Sequence, residues 1–183
     1  MTLPQSYTEM LDNGINRPAE EGARPYPAAA LEITLLNHAQ QKAYDREASR
    51  FRQLRTLFDW QMSPDQQEEY LRQLKQGYTL LLTDSDRVIR WASQNFMRMT
   101  GHRVADVLGK KPSVLQGSAT DWHTAHQIRT QLSRAQPVRA DLLNYRKDGT
   151  IYTCRVAIDP LCNTRGELTH FLAVEIEVMP QSF

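Results

Sequence analysis

The chain has 183 residues, with 22 Lys+Arg against 21 Asp+Glu and a net charge of +1. That balance implies no nucleic-acid or anionic-membrane partner, which would call for a larger basic excess. The longest apolar runs, 28–31 and 80–82, fall far short of the ~20 residues that cross a bilayer. The first residues have neither the basic start nor the apolar stretch of a secretory signal, and two Cys suit a reducing compartment. The expectation is a cytoplasmic chain of one domain plus an extension.

Residues 1–27 are polar and broken by Pro4, Gly14, Pro18, Gly22, Pro25 and Pro27, which predicts a mobile tail. Residues 28–76 read as a helical extension. From 28 to about 60 there is no Pro or Gly, and Leu36, Ala39, Ala43, Phe51, Leu54 and Phe58 recur at helical steps. The charged middle of this stretch fits either a solvated helix or a signalling and dimerisation helix, so residues 31–58 are expected to help hold a homodimer together with the sheet face. Ser63-Pro64-Asp65-Gln66 then restarts a helix with a capping box, and Gly77 stops it.

Beyond Gly77 the pattern turns to strands. Residues 78–83 and 88–91 read as a hairpin around Asp84-Ser85-Asp86-Arg87. Short helices follow at 93–100 and 104–108, each ended by a glycine, and 110–117 reads as irregular. Asp121 or Thr120 caps a helix reaching to 135. Strands at 137–147 and 150–161 meet at Asp148-Gly149, a hairpin signal, and a last strand spans 167–178. This order predicts an α+β domain over 78–178: a five-stranded antiparallel sheet with short helices on one face, then a tail at 179–183. Trp91, Phe96, Met97, Met99, Leu115, Ile128, Val156, Ile158, Phe171 and Val174 are expected as core or pocket wall.

The residues Asn95-Phe96-x-x-Met99-Thr100-Gly101, then Leu108 through Gly117 with its Leu115-Gln116-Gly117, then Leu142-Leu143-Asn144-Tyr145-Arg146-Lys147-Asp148-Gly149-Thr150, and last Leu168-Thr169-His170-Phe171-Leu172 resemble a PAS domain. The likeness is to its light-oxygen-voltage (LOV) subgroup. That resemblance implies a sensory, non-catalytic fold with a flavin site. In LOV domains a Cys before the Leu-Gln-Gly forms a light-driven adduct with flavin; here that place holds Pro112, which has no thiol. The flanking Asn and Arg of the family are Lys111 and Ser113. Gln116, Arg129 and Asn144 match their counterparts. The second ring-binding Asn is Cys154, and the Gln of the last strand is Glu175.

On this resemblance Gln116, Arg129, Asn144, Cys154 and Glu175 are the candidate pocket residues. Photoadduct chemistry is not expected, and flavin is disfavoured, because each unpaired polar group in a dry pocket costs about 1–3 kcal/mol. Asn144 either lines a pocket or satisfies backbone groups of the sheet, and Gln116 either lines it or caps its loop. Cys154 faces inward with Asn144 if the hairpin closes through the three-residue turn Lys147-Asp148-Gly149; a two-residue turn changes which residues face each other. His123 and His126, with Asp121, fall short of a convergent metal set. The leading function is a non-catalytic PAS sensory and protein-interaction module. A small-molecule sensor using the pocket and redox sensing through Cys154 are the alternatives.

Overall fold

The computed structural model describes residues 27–179; the tails expected at 1–27 and 179–183 lie almost wholly outside them. Helix α1 spans Pro27–Leu57, and the chain divides into two units between Asp45 and Arg46 along it. The first unit contributes the N-terminal part of α1, where Leu36 is 61% exposed.

In the second unit the rest of α1 leads into α2 (Pro64–Lys75), whose Ser63 cap accepts from the Gln66 amide while the Gln66 side chain accepts from the Ser63 amide. This satisfies amides that a helix start leaves unpaired. Then come β1 (Thr79–Asp84), β2 (Ile89–Ala92), α3 (Asn95–Thr100), α4 (Val104–Val107), a 3₁₀ turn (Pro112–Leu115), α5 (Trp122–Ser133), β3 (Val138–Tyr145), β4 (Ile151–Cys162) and β5 (Leu168–Val178). The stretch expected to be irregular thus holds a 3₁₀ turn. Pro112 starts it with a preset φ, and four residues are too few to show a period.

The five strands form one antiparallel sheet in the order β2-β1-β5-β4-β3. The sequence places β5 last, yet it lies in the middle, between β1 and β4. Its burial is therefore unbroken from His170 to Glu175, although a half-exposed strand would alternate. Pro160 is tolerated in β4 because β3 begins opposite Ile158, so no neighbour on that side asks for its missing N–H.

One face of the sheet is covered by the short helices, and the other is covered over β1 and β5 but not around Asp141 and Arg155 of β3 and β4. On one face lie α3, α4, the 3₁₀ turn and α5, enclosing Leu81, Phe96, Val107, Leu115 and Val156. On the other lie residues from the second half of α1 through α2. Leu80, Leu82 and Leu172 are wholly buried there. The ring of Phe51 packs 6.2 Å from that of Trp60, 5.9 Å from Tyr70 and 6.4 Å from Trp91. Trp60 Nε1 donates to Thr169 Oγ1 at 3.2 Å and to His170 Nδ1 at 3.3 Å, and Tyr70 Oη donates to Asp159 Oδ2 at 2.9 Å. Trp91 and Val174 belong to this second face. Met97, expected in the core, is 54% exposed because it points off the outer side of the one-and-a-half-turn α3 while Phe96 and Met99 point in.

Candidate ligand site

A cavity of about 320 Å³ lies between the inner sheet face and α5, at the small end of the ~300–1,000 Å³ typical of ligand sites. Its position follows from alternation along the strands. Leu142 and Asn144 on β3, Cys154, Val156 and Ile158 on β4, and Phe171, Ala173 and Glu175 on β5 all face it. The opposite wall is α5, which presents Ala125, Ile128 and Leu132 at helical spacing. Asp121 fixes the start of that helix by accepting from the His123 and Thr124 amides, both at 3.0 Å.

All five candidate residues line this one cavity. The hairpin condition for Cys154 is met: the Arg146 amide donates to Thr150 O at 2.8 Å and the Gly149 amide donates to Arg146 O at 2.9 Å, closing the turn over Lys147-Asp148-Gly149. Asn144 then pairs with Tyr152 and Leu142 with Cys154, so Asn144 and Cys154 share a face. Gly149 makes the turn possible at φ 87. Gln116 follows the 3₁₀ turn at the cavity's side, and Arg129 sits at the solvent edge of α5. Lys111, Pro112 and Ser113 line the cavity too. Thr83 and Arg87 were missed by sequence reasoning. Arg87 reaches the rim from a turn position with φ 64, and only the turn type could have signalled it.

The inner groups differ in how they are satisfied. Asn144 is 7% exposed and Glu175 6%, and neither Asn144 Oδ1 nor Glu175 Oε2 has a hydrogen-bond partner. Tyr152 Oη, on the residue opposite Asn144 in the ladder, is unpaired as well, and buried polar groups are nearly always paired, so such a cluster is unusual. Burial alone raises the Glu175 carboxyl from 4.5 to about 7, because the ionised form loses water and gains nothing in return. Cys154 is 1% exposed, and burial, with the Glu175 charge second, pushes its thiol well above the ordinary range. A thiol so far from its thiolate is a poor redox sensor. Just outside the cavity, Gly117 lies against Tyr145: a Cβ on residue 117 would come within 2.5 Å of the ring. Tyr145 Oη accepts from the Ala119 amide at 2.8 Å, tying the loop after Gln116 to β3.

The PAS domain family profile matches residues 75–178, more than half of the chain. The chain belongs to the PAS family. Among curated relatives, the PAS segment is 35% identical over 97 residues to a nitrogen fixation regulatory protein of Klebsiella oxytoca, a match covering 53% of this chain and 20% of that protein. It is 31% identical over 93 residues to a blue-light-activated histidine kinase of Brucella canis, covering 51% and 19%. The chain thus spans about a fifth of the length of these relatives. Among solved structures, a light-oxygen-voltage domain studied with a flavin analogue superposes with a TM-score of 0.56 at 30% identity, covering 61% of this chain and 85% of that one. The dark structure of the Aureochrome1 LOV domain gives 0.56 at 26%, covering 60% and 83%. The PAS segment is thus a LOV-like sensory domain of the signalling class, and no described helix is long and apolar enough to cross a membrane.

Proposed function

We propose that this PAS domain is a non-catalytic sensor that reads a small planar molecule held in the cavity between the sheet and α5. The observation that carries the reading is the pairing of a 320 Å³, mostly apolar cavity with a buried carboxyl on its wall, that of Glu175, whose Oε2 has no partner in the protein. A domain whose role was only to bind another protein would gain stability by filling that space and apolarising that position. The cavity thus favours the small-molecule reading over a bare interaction module.

A flavin is one candidate occupant, given the LOV relatives, and when bound it would supply a light-absorbing, redox-active ring. Asn144, Gln116 and Arg129, which line the cavity, would hold such a ring and its tail without a covalent bond. Pro112 lines the cavity where the resemblance puts the reacting Cys, and it has no thiol to add. Cys154 lines the cavity, and burial holds it as a neutral thiol.

Output goes through contacts, in a homodimer or onto a separate signalling protein, with occupancy shifting one packing of helix against sheet over another by ~1–3 kcal/mol. The sheet face over β1 and β5 is already taken by the chain's own α2. A dimer must therefore use the exposed side of α1, residues 31–58, and the free outer face of β3 and β4, where Arg155 pairs with Asp141.

The test is native mass spectrometry and light scattering on the freshly purified full chain, followed by titration with riboflavin. A bound mass or saturable riboflavin uptake supports the reading. A clean apoprotein that takes up neither riboflavin nor an unrelated fused-ring dye removes the ligand, and a monomeric mass at all concentrations removes the dimer.

A further inference from the structure

The connector between α1 and α2 is pinned to the turn that joins β4 to β5. Trp60 pairs with Asn163 in an isolated antiparallel bridge, the Gln61 amide donates to Cys162 O at 2.9 Å, and the Thr164 amide donates to Asp59 O at 3.0 Å. At the centre of this seam sits the buried His170 of β5. The Phe58 ring lies 4.1 Å from its imidazole, and the Trp60 ring meets it edge-on at 5.3 Å. An indole N–H can only donate. The contact of Trp60 Nε1 with His170 Nδ1 at 3.3 Å therefore requires a bare lone pair on Nδ1. The same N–H is shared with Thr169 Oγ1 at 3.2 Å, whose own hydrogen goes to Leu161 O.

We infer that His170 is an acid-sensitive latch on this connector. Neutral, it seats Trp60 and ties the α1–α2 layer to the sheet. Protonated on Nδ1, it turns a hydrogen toward the indole hydrogen and loosens residues 58–62. This goes beyond the ligand reading, because the cavity is lined from the opposite face of the sheet and has no part in the latch.

The charges around the imidazole set the direction. From β1, Asp84 stands opposite His170 and favours the charged ring, while Arg90 of β2, 2.7 Å from Asp84, disfavours it. From β4, Leu161 lies opposite, and Asp159 two residues away is engaged by Tyr70 of α2 and Arg139 of β3. Arg55 of α1 donates to Gln67 and to Met62 O. In the connector Asp59 accepts from Thr164, and at the start of β5 Glu167 is held by Asn163 and Arg165. The aromatic rings offer a cation some attraction. Burial is the largest influence, and it holds the ring below its ordinary 6.5. The seam is thus closed at neutral pH and opens on the acid side.

The experiment follows the full chain by NMR from pH 7.5 to 4.5, reading the His170 ring and the Trp60 indole N–H. The expected result is that the two move together with one midpoint below 6.5. Across that step the Gln61 amide loses at least about tenfold of its exchange protection, while the β3–β4 ladder keeps its own. His170→Asn puts a fixed oxygen where Nδ1 stood, so its Trp60 signal and Gln61 protection should not change over the same range. A Trp60 signal that stays flat while His170 titrates overturns the latch, as does a ring still neutral at pH 4.5. Equal loss of protection in the β3–β4 ladder means global acid unfolding and overturns it too, and so does an undiminished response in His170→Asn. Should that variant fail to fold, the wild-type titration decides alone. None of these readouts involves a ligand, so their failure leaves the ligand reading where it stands.

Discussion

Glu175 makes the stability of the empty domain depend on pH in a direction opposite to that of most carboxylates. Its carboxyl titrates at about 7 in the folded chain against 4.5 in the ordinary state. Between those values the folded chain holds one more proton than the unfolded one, so stability falls as pH rises, and flattens above 7. At about 1.4 kcal/mol per pH unit, the loss between pH 4.5 and 7 sums to about 3 kcal/mol, a sizeable share of a small domain's ~5–15 kcal/mol.

Other groups titrate nearby. Tyr152 and Cys154 on β4 both face Glu175 and are held neutral by burial. From β5 itself Glu177 is paired with Arg146 at 2.6 Å; across the cavity lie Arg129, Lys111 and Arg87. Farther off, burial lowers His170 and so works in the opposite sense below neutrality, while burial raises Glu47 in the same sense as Glu175. The wild type alone is therefore ambiguous, and the informative quantity is its difference from Glu175→Gln. Urea unfolding of both proteins at half-unit steps from pH 5 to 8 should show the variant gaining about 3 kcal/mol on the wild type across the range. Parallel curves would mean that water or a neighbour already solvates Glu175, and the reasoning about an unmet carboxyl would collapse.

Gly117→Ala should destabilise by about 1–3 kcal/mol, the usual cost of overpacking, because its Cβ meets the Tyr145 ring from 2.5 Å; an unchanged melting temperature would show that the ring swings away freely. In thiol labelling of the native protein, half-buried Cys162 should react first and buried Cys154 only on unfolding, so equal rates for the two would contradict the depth assigned to Cys154.

The architecture was legible because its signals are local and strong. Asp148-Gly149 signalled a turn but left its length open; the three-residue closure seen in the structure sets the register that puts Asn144 and Cys154 on one face, with Leu142 directly opposite Cys154. The alternation then carried Glu175 to the same side once β5 lay beside β4. The burial of the second sheet face was harder to see. Residues 40–50 read as a solvated run, yet Glu47 and Ala48 are buried. One turn on, Phe51, Leu54 and Phe58 do recur at helical steps, but the charged run before them masks where the docking face begins. The orphaned oxygens of the cavity could not have been read at all, since whether a side chain finds a partner depends on what the rest of the fold brings within 3 Å of it.

The aromatic cluster of Phe51, Trp60, Tyr70 and Trp91 also settles how this piece of protein can be moved. A gene trimmed to begin at residue 75, where the family profile begins, would strip the lid from Leu80, Leu82 and Leu172 and yield a sticky fragment that sediments. A portable cassette has to reach back past Phe51 into the second half of α1, and anyone grafting the sensor onto a new output must carry that segment along.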